Sequence, residues 1–294
     1  MRQARRGRWG TTRLYHNPLI RNPNSDCRAV QSWGLSDRGR IRAVNEDRLL
    51  IDDEHGIYAV ADGMGGHRAG EVASSLAIES IRRYLAGGPA ADVAAAPAPL
   101  SASARRLLAG ICWSNRVVHE AAVSSGSLQG MGSTIAAVYL AGDSLVAANV
   151  GDSPIYLIRG GKIERLSEPH TLREELGPEE VPASLGHVLT RALGTRPTVE
   201  PAICEVSALC EDTVVICSDG LSNKLAAEEI RDIVLSHPPE RACREMIALA
   251  NARGGEDNIS AVVLRFGRRA DSGAAGGLRR LLRRLRRLAA RWRR

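Results

Sequence analysis

The sequence contains few aromatic residues, no long apolar run and no closely spaced pair of cysteines. Aromatic side chains make up 3% of its 294 residues, so Val, Ile, Leu and Ala must form the core. No stretch of about 18 apolar residues occurs, and a membrane-spanning helix is therefore not expected. The six cysteines include no CxxC pair, which disfavours a zinc site or a disulfide framework. The pattern favours reduced, mostly buried thiols in a cytosolic protein.

The positive charge of the chain is concentrated at its two ends. The formal net charge is +7, and setting aside five arginines in residues 1–13 and nine in residues 278–294 leaves −7 for the body. An acidic body disfavours nucleic-acid binding by the fold. It suits a cluster of carboxylates held together by cations.

We divide the chain into three parts: a disordered basic lead-in (residues 1–27), one folded domain (28–267) and a basic tail (268–294). The lead-in lacks the apolar segment of a secretory signal.

Within 278–294, leucines recur at helical spacing and arginines take the other faces, which predicts a basic amphipathic helix. An anionic membrane surface is the favoured partner of this helix. Nucleic acid, an acidic protein and a solvated tail without a partner remain alternatives. The expected location is cytoplasmic, with the tail at the inner membrane face.

Hydrophobic periodicity predicts both helices and antiparallel strands. Glycine turns at Gly142-Asp143 and Gly160-Gly161 predict two hairpins. The strand that ends at Val150 is expected to be interrupted by residues 151–154 and then to continue. The predicted helices cover residues 70–85, 101–124, 226–236 and 240–253.

Acidic residues occur where apolar strands meet glycine turns. The apolar run before Asp62 ends on Asp62-Gly63, and a second run ends on Asp219-Gly220. Asp152 and Asp257 occupy similar positions. Two carboxylates about 4 Å apart repel each other by roughly 4 kcal/mol at an effective dielectric near 20, so a gathered set needs counter-charge. Ligand sets made only of oxygen select Mg²⁺ or Mn²⁺ over zinc.

A further loop, residues 39–47, carries one arginine and two acids close to a strand. An exposed pair between Arg42 and Glu46 would contribute little to stability. The functional interpretation is a phosphate-binding guanidinium at Arg42, beside carboxylates of Glu46 and Asp47 that contact metal-bound water. Arginine suits the first role because its planar fork can hold two phosphate oxygens.

Seven short motifs follow one another in a specific order. Together they resemble the metal-dependent type 2C protein serine/threonine phosphatases in their bacterial form, over residues 28–267. The resemblance implies an α+β fold, a four-layer α-β-β-α sandwich of two antiparallel sheets flanked by helices. It also implies hydrolysis of phosphoserine and phosphothreonine by a metal-activated water, in opposition to a bacterial Ser/Thr kinase. The motifs are RAVNED (42–47), DGMGGHRAG (62–70), GST (132–134), GDS (151–153), TRALG (190–194), SDGL (218–221) and DNIS (257–260).

The resemblance also implies the site residues. Asp62 would bridge two Mn²⁺ or Mg²⁺ ions, with the carbonyl of Gly63 on one of them. Asp219 and Asp257 would be ligands of the other ion. Glu46 and Asp47 would bind metal-held water or the edge of the metal centre, and Arg42 would bind the substrate phosphate. Arg42, Asp62 and Asp219 are the predicted catalytic residues.

The sequence departs from the family pattern near a third, looser metal site. Asp152 would be a ligand there, but Asn223 stands where many relatives carry a second acid, which puts the third ion in doubt. Pro154 replaces a common arginine. The proton donor to the leaving oxygen is left open between His67 and metal-bound water.

Two other functions remain open. One is a phosphatase-like regulatory module that binds a phosphoprotein without turnover, and the presence of all four of Arg42, Asp62, Asp219 and Asp257 argues against it. The other is a phosphoesterase acting on small molecules or nucleic acid. The acidic body disfavours a nucleic-acid substrate.

The full chain is expected to sediment with vesicles of anionic phospholipid, whereas a truncation to residues 1–270 is expected to stay in the supernatant. The reason is that the arginines of residues 278–294 attract anionic headgroups. Co-sedimentation at low and high salt measures this. Equal sedimentation of the two proteins would contradict the membrane assignment.

Overall fold

The computed structural model describes residues 29–65, 69–88, 100–177 and 179–267. The predictions for His67 and for the basic ends, residues 1–27 and 268–294, lie outside these residues. Among the described residues, no helix is both long and apolar enough to cross a bilayer.

The strands form two sheets in which all paired strands are antiparallel. One sheet has the order β1-β11-β10-β7-β8, and the other has the order β2-β3-β5-β6-β9 with β4 paired to β3. The strands are β1 (Ala29–Asp37), β2 (Asp47–Asp52), β3 (Ile57–Met64), β4 (Gly132–Ser133), β5 (Ile135–Ala141), β6 (Ser144–Val150), β7 (Ile155–Arg159), β8 (Lys162–Arg165), β9 (Ala202–Ser207), β10 (Thr213–Cys217) and β11 (Ile259–Gly267).

Four long helices cover the outer faces of the sheets. The predicted helices are confirmed to within one or two residues, and Ser101 caps the second by accepting a hydrogen bond from the amide of Ala104. Two short helices were not predicted. The helices are α1 (Ala69–Leu85), α2 (Ala102–Ser124), α3 (Leu172–Leu176), α4 (Asp219–Ser222), α5 (Ala227–Ser236) and α6 (Pro239–Ala252), with a 3-10 turn at Gly126–Leu128.

Residues on the central strands alternate between two buried faces. In β3, Ala59 and Ala61 belong to the cluster formed with α1 and α2. Tyr58 and Val60 belong to the cluster between the two sheets. The cluster on the far side joins β7, β10 and β11 to α5 and α6. Because both faces are buried, such strands read as continuous apolar runs. The four-layer α-β-β-α sandwich is thus confirmed.

The prediction that one strand continues across residues 151–154 is wrong. β6 lies in one sheet and β7 in the other, so this segment carries the chain from sheet to sheet. Gly151 has a φ of 99°, which a residue with a side chain rarely adopts. Sequence periodicity shows only that the strand breaks there, and it cannot show that the partner strand changes.

The cysteines match the expectation only in part. Cys204, Cys217 and Cys243 are free and buried, and Cys112 is free and half-buried. Cys210 is disulfide-bonded, so the expectation of reduced thiols is wrong for this residue.

Leu264→Ala is expected to lower the free energy of unfolding by about 2–5 kcal/mol, because Leu264 is fully buried between the sheets. Leu235→Ala is the matched control, since Leu235 is 51% exposed on α5, and it should change stability by less than about 0.5 kcal/mol. Chemical denaturation measures both. Equal effects would contradict the assigned layers.

Candidate metal centre

The site lies at one end of the seam between the sheets, where two acids face each other across paired strands. Asp47 is directly opposite Asp62 in the antiparallel register of β2 and β3. Opposed residues share a face of the sheet. Asp62 follows Tyr58 and Val60 at the same two-residue period, so it points toward the other sheet. The predicted pairing of these acids in one site is therefore a consequence of register.

The second sheet brings its own acids to the same end. Asp219 is the first residue of α4, directly after β10, and Asp257 precedes β11. β10 and β11 are neighbours, and the amide of Ser218 donates to the carbonyl of Ser260 at 3.1 Å. The charges of Asp219 and Asp257 both act on Asp62. The structure therefore brings acids from both sheets into one cluster.

Gly63 continues β3 beyond Asp62 at a point where backbone segments approach closely. A Cβ at this position would lie 2.0 Å from the carbonyl oxygen of Gly70 at the start of α1. Only glycine fits such a contact. The residue type is thus required by packing, whether or not its carbonyl also binds a cation.

Hydroxyl groups orient the acids. Ser218, Thr134 and Ser153 stand in the sequence motifs, but the motifs do not indicate this role. Ser218 donates to Oδ2 of Asp47 at 2.8 Å and accepts from the amide of Ser260 at 3.0 Å. The Thr134 hydroxyl accepts from the amide of Asp62 at 3.0 Å and shares a 2.9 Å hydrogen bond with Ser153. Each contact crosses between elements distant in sequence, so only the fold identifies the partner.

Asn258 is a further residue whose role the sequence did not indicate. It is 4% exposed, and its Oδ1 accepts from the amide of Glu46 at 2.8 Å. Its Nδ2 donates to the carbonyls of Arg38 and Val44, both at 2.9 Å. One buried amide therefore fixes both ends of the loop that carries Arg42.

Burial and mutual repulsion raise the pKa values of the clustered acids. Burial raises the pKa of Asp47 to about 7, with further contributions from Asp219 and Asp257. Burial and the charge of Asp47 raise the pKa of Asp62 well above its usual range. Burial and the charge of Asp219 raise the pKa of Asp152 to about 6. Without a counter-charge, the cluster thus resists full ionisation near neutral pH.

Three carboxylate oxygens in this cluster are buried and lack any hydrogen-bond partner: Oε1 of Glu46, Oδ1 of Asp47 and Oδ1 of Asp219. Buried polar atoms in native proteins are almost always paired. Hard divalent cations bind to oxygen ligands of this kind. These carboxylate oxygens therefore fit Mn²⁺ or Mg²⁺ as ligands in their type, burial and charge.

Asp257 has a different partner in this structure. Nη2 of Arg42 donates to its Oδ2 at 2.8 Å, and both side chains are partly exposed. Across the described part of the chain, no three acidic, histidine or cysteine side chains form a ready coordination set. The guanidinium of Arg42 therefore occupies one carboxylate oxygen of Asp257, at the edge of the cluster.

The predicted third site is organised by residues that do not bind metal. Nδ2 of Asn223 donates to Oδ2 of Asp219 at 3.2 Å. Nη2 of Arg165 donates to the carbonyl of Asp152 at 2.9 Å. An amide and a guanidinium thus lie beside the acids assigned to this site, and a third ion at Asp152 remains a prediction.

His170 supports the loop of Asp152. Its Nδ1 accepts from the amide of Gly151 at 3.1 Å. Burial, together with the charges of Arg191 and Arg165, lowers the pKa of His170 to about 3. The imidazole is therefore neutral near neutral pH, and it acts as an acceptor that holds the crossover between the sheets.

Comparison with known proteins identifies relatives. A family model described as Protein phosphatase 2C matches residues 39–262. The serine/threonine phosphatase stp of Listeria welshimeri is 36% identical over 244 residues, which cover 78% of this chain and 93% of that protein. Among solved structures, PppA is described as a key regulatory component of T6SS in Pseudomonas aeruginosa. Its sequence is 35% identical to this chain, and the two structures superpose with a TM-score of 0.69 over 82% of this chain and 99% of PppA. The catalytic domain of the serine/threonine protein phosphatase PstP, solved with two manganese ions, is 32% identical with a TM-score of 0.70, covering 81% of this chain and 98% of that one.

The acid cluster is expected to destabilise the metal-free chain increasingly as the pH rises from about 4 to about 7, because the acids keep their protons in the folded chain after the unfolded chain has released them. Mn²⁺ binds the ionised acids, so its stabilising effect should be larger at pH 7.5 than at pH 5.5. Thermal unfolding with and without Mn²⁺ measures both effects.

Asp47→Asn provides the control for this prediction. The low pKa of His170 makes the folded chain more stable as the pH rises through about 6.5, which opposes the effect of the acids. The difference between wild type and Asp47→Asn cancels the histidine term. A difference that does not change with pH would contradict the electrostatic account.

Proposed function

This chain belongs to the protein phosphatase 2C family and is a metal-dependent serine/threonine protein phosphatase, and on that premise we propose which of its residues perform the reaction. The observation that supports the assignment is the set of buried acids with raised pKa values and unpartnered oxygens. Bound cations favour the ionised form of such a set near neutral pH.

Asp62, Asp219, Asp257 and the carbonyl of Gly63 would hold two Mn²⁺ or Mg²⁺ ions. When bound, two such cations supply positive charge and lower the pKa of a water so that hydroxide is available near neutral pH. The chain itself fixes Asp47 through the Ser218 hydroxyl and the backbone of Asp62 through the Thr134 hydroxyl. PstP, with which this chain shares 32% identity, was solved with two manganese ions.

Arg42 would bind the substrate phosphate. Its guanidinium lies at the edge of the cluster, 49% exposed, and already contacts one carboxylate oxygen. A phosphoryl group offers the same kind of acceptor with more negative charge, so it can take over the contact from Asp257. Positioning and positive charge are the main requirements of phosphoryl transfer.

Glu46 and Asp47 would complete the rim of the centre. Asp47 is held through Oδ2 by Ser218, which leaves its Oδ1 free to accept from bound water. The amide of Glu46 is held by Asn258, which fixes the chain direction at this point. His67 remains a candidate proton donor for the leaving oxygen.

The substrate is a phosphorylated protein, and we propose that the enzyme opposes a bacterial Ser/Thr kinase in the cytoplasm. The structural neighbour PppA is described as a key regulatory component of T6SS, which supports a regulatory role for the enzyme proposed here. The tail, residues 278–294, is proposed to hold the enzyme at the inner membrane face. A purely regulatory, non-catalytic role gains no support from any feature of the site.

Wild-type protein is expected to hydrolyse a phosphothreonine peptide with Mn²⁺ and to stop when a chelator is added. Asp219→Ala should reduce kcat/KM by at least about 100-fold, because a ligand of the catalytic cations is lost. Asp232→Ala is the control, since Asp232 is exposed on α5. Full activity of a folded Asp219→Ala variant would overturn the assignment.

Arg42→Gln is expected to raise KM for the same peptide and to lower kcat/KM by about 10- to 100-fold, because a charged hydrogen-bond donor to phosphate is removed. The same substitution frees Asp257, so the affinity for Mn²⁺ should rise or stay equal. Steady-state kinetics and Mn²⁺ titration separate these effects. Unchanged kinetics would exclude Arg42 from phosphate binding.

A further inference from the structure

The loop that carries Arg42 presents a row of exposed side chains beside the metal centre. Residues 40–44 are all exposed, and they include Ile41 at 71% exposure and Val44 at 41%. Arg38 and Arg40 add two more guanidinium groups next to Arg42. A single exposed apolar residue is ordinary on a protein surface. Here two exposed apolar residues, Ile41 and Val44, lie among three arginines at the edge of the metal centre.

The backbone of this loop is fixed, although its side chains are exposed. Asn258 binds carbonyls at both ends of it, and the amide of Arg40 donates to the carbonyl of Gly255 at 2.7 Å. Gly39 has a φ of 79°, and a Cβ there would lie 2.1 Å from the carbonyl oxygen of Asp257. Nη1 of Arg38 closes the loop by donating to the carbonyl of Ala43 at 3.1 Å. The loop is thus preorganised, which lowers the entropic cost of binding.

Arg40 has no carboxylate partner among the described residues, whereas Arg42 and Lys224 each have one. Glu256, the nearest acid in sequence to the Gly255 contact, is paired with Lys224. Arg42 is paired with Asp257, and Arg38 binds its own loop. The guanidinium of Arg40 is therefore available to an external anion.

We infer that residues 40–44 form a docking surface for the phosphorylated segment of the substrate protein, with Arg40 and Ile41 as its specificity-determining residues. Arg40 takes an acidic side chain or a second phosphoryl group, and Ile41 takes an apolar side chain. This inference rests on the proposed placement of the phosphoresidue at Arg42.

An extended peptide repeats its side-chain direction every two residues. A substrate segment that faces the loop with its phosphoresidue therefore faces it again two positions away, where an anionic side chain can contact Arg40. The intervening side chain points away from the loop, so the apolar side chain that contacts Ile41 also belongs to a position two residues from the phosphoresidue.

The test compares phosphothreonine peptides with full-length enzyme and Mn²⁺. The peptides carry Glu, Ala or Lys two positions before or after the phosphothreonine. Wild type is expected to show a kcat/KM about threefold to tenfold higher for Glu than for Lys on one side, mainly through KM. Arg40→Glu should reverse this order. Raised salt should weaken the preference in both proteins.

The matched control is Arg83→Glu, which makes the same charge change at an exposed position near the far end of α1. This variant should keep the wild-type order of peptides. Ile41→Gln should remove a preference for Leu over Gln two positions from the phosphothreonine. Thermal unfolding verifies that every variant is folded, and none of these side chains is buried.

The two ways of failing are distinguishable. If Arg40→Glu keeps the wild-type order of peptides, the docking surface is refuted while the catalytic assignment stands. If wild type hydrolyses neither the peptides nor p-nitrophenyl phosphate with Mn²⁺, the catalytic assignment itself fails. If Arg83→Glu changes the order as much as Arg40→Glu does, the effect is one of net charge and the docking surface is again refuted.

Discussion

Repulsion among buried acids is the constraint on which this structure depends. Asp47, Asp62 and Asp219 lie together at one end of the seam between the two sheets. The pKa of each is raised, and burial is the largest cause. A folded chain gains nothing in stability from such a cluster. What it gains is a fixed set of oxygen ligands whose mutual repulsion bound cations can offset. The stability of the apolar layers is what makes the arrangement tolerable.

Two loops of the site lie where the chain leaves one sheet for the other. β1 and β2 belong to different sheets, and so do β6 and β7. The first crossover carries Arg42, and the second carries Asp152. Both crossovers are held by side chains that lie elsewhere in sequence, Asn258 for the first and His170 for the second. A crossover has no strand partner to satisfy its backbone, so it needs these hydrogen bonds, and they hold the functional side chains in place as well.

Sequence reasoning succeeded where a local pattern carries the information. A buried strand ending on Asp-Gly marked Asp62 and Asp219, and helix periodicity gave the four long helices. It failed where the information is in the pairing of strands. The break after Val150 could not show that β7 joins the other sheet, and Ser218 could not be linked to Asp47 without the register. The disulfide at Cys210 was also missed, because a lone cysteine far from any CxxC pair gives no signal. The Arg42–Asp257 ion pair joins residues 215 positions apart and was likewise invisible.

The central claim is that the acids of this seam hold divalent cations. Calorimetric titration of the metal-free full chain with Mn²⁺ at pH 7.5 tests it most directly, because it reads binding without requiring turnover. The account predicts saturable binding of two ions per chain, with proton release, and a clear loss of binding in Asp62→Asn. Absence of saturable binding, or binding that is unchanged in Asp62→Asn, would contradict it.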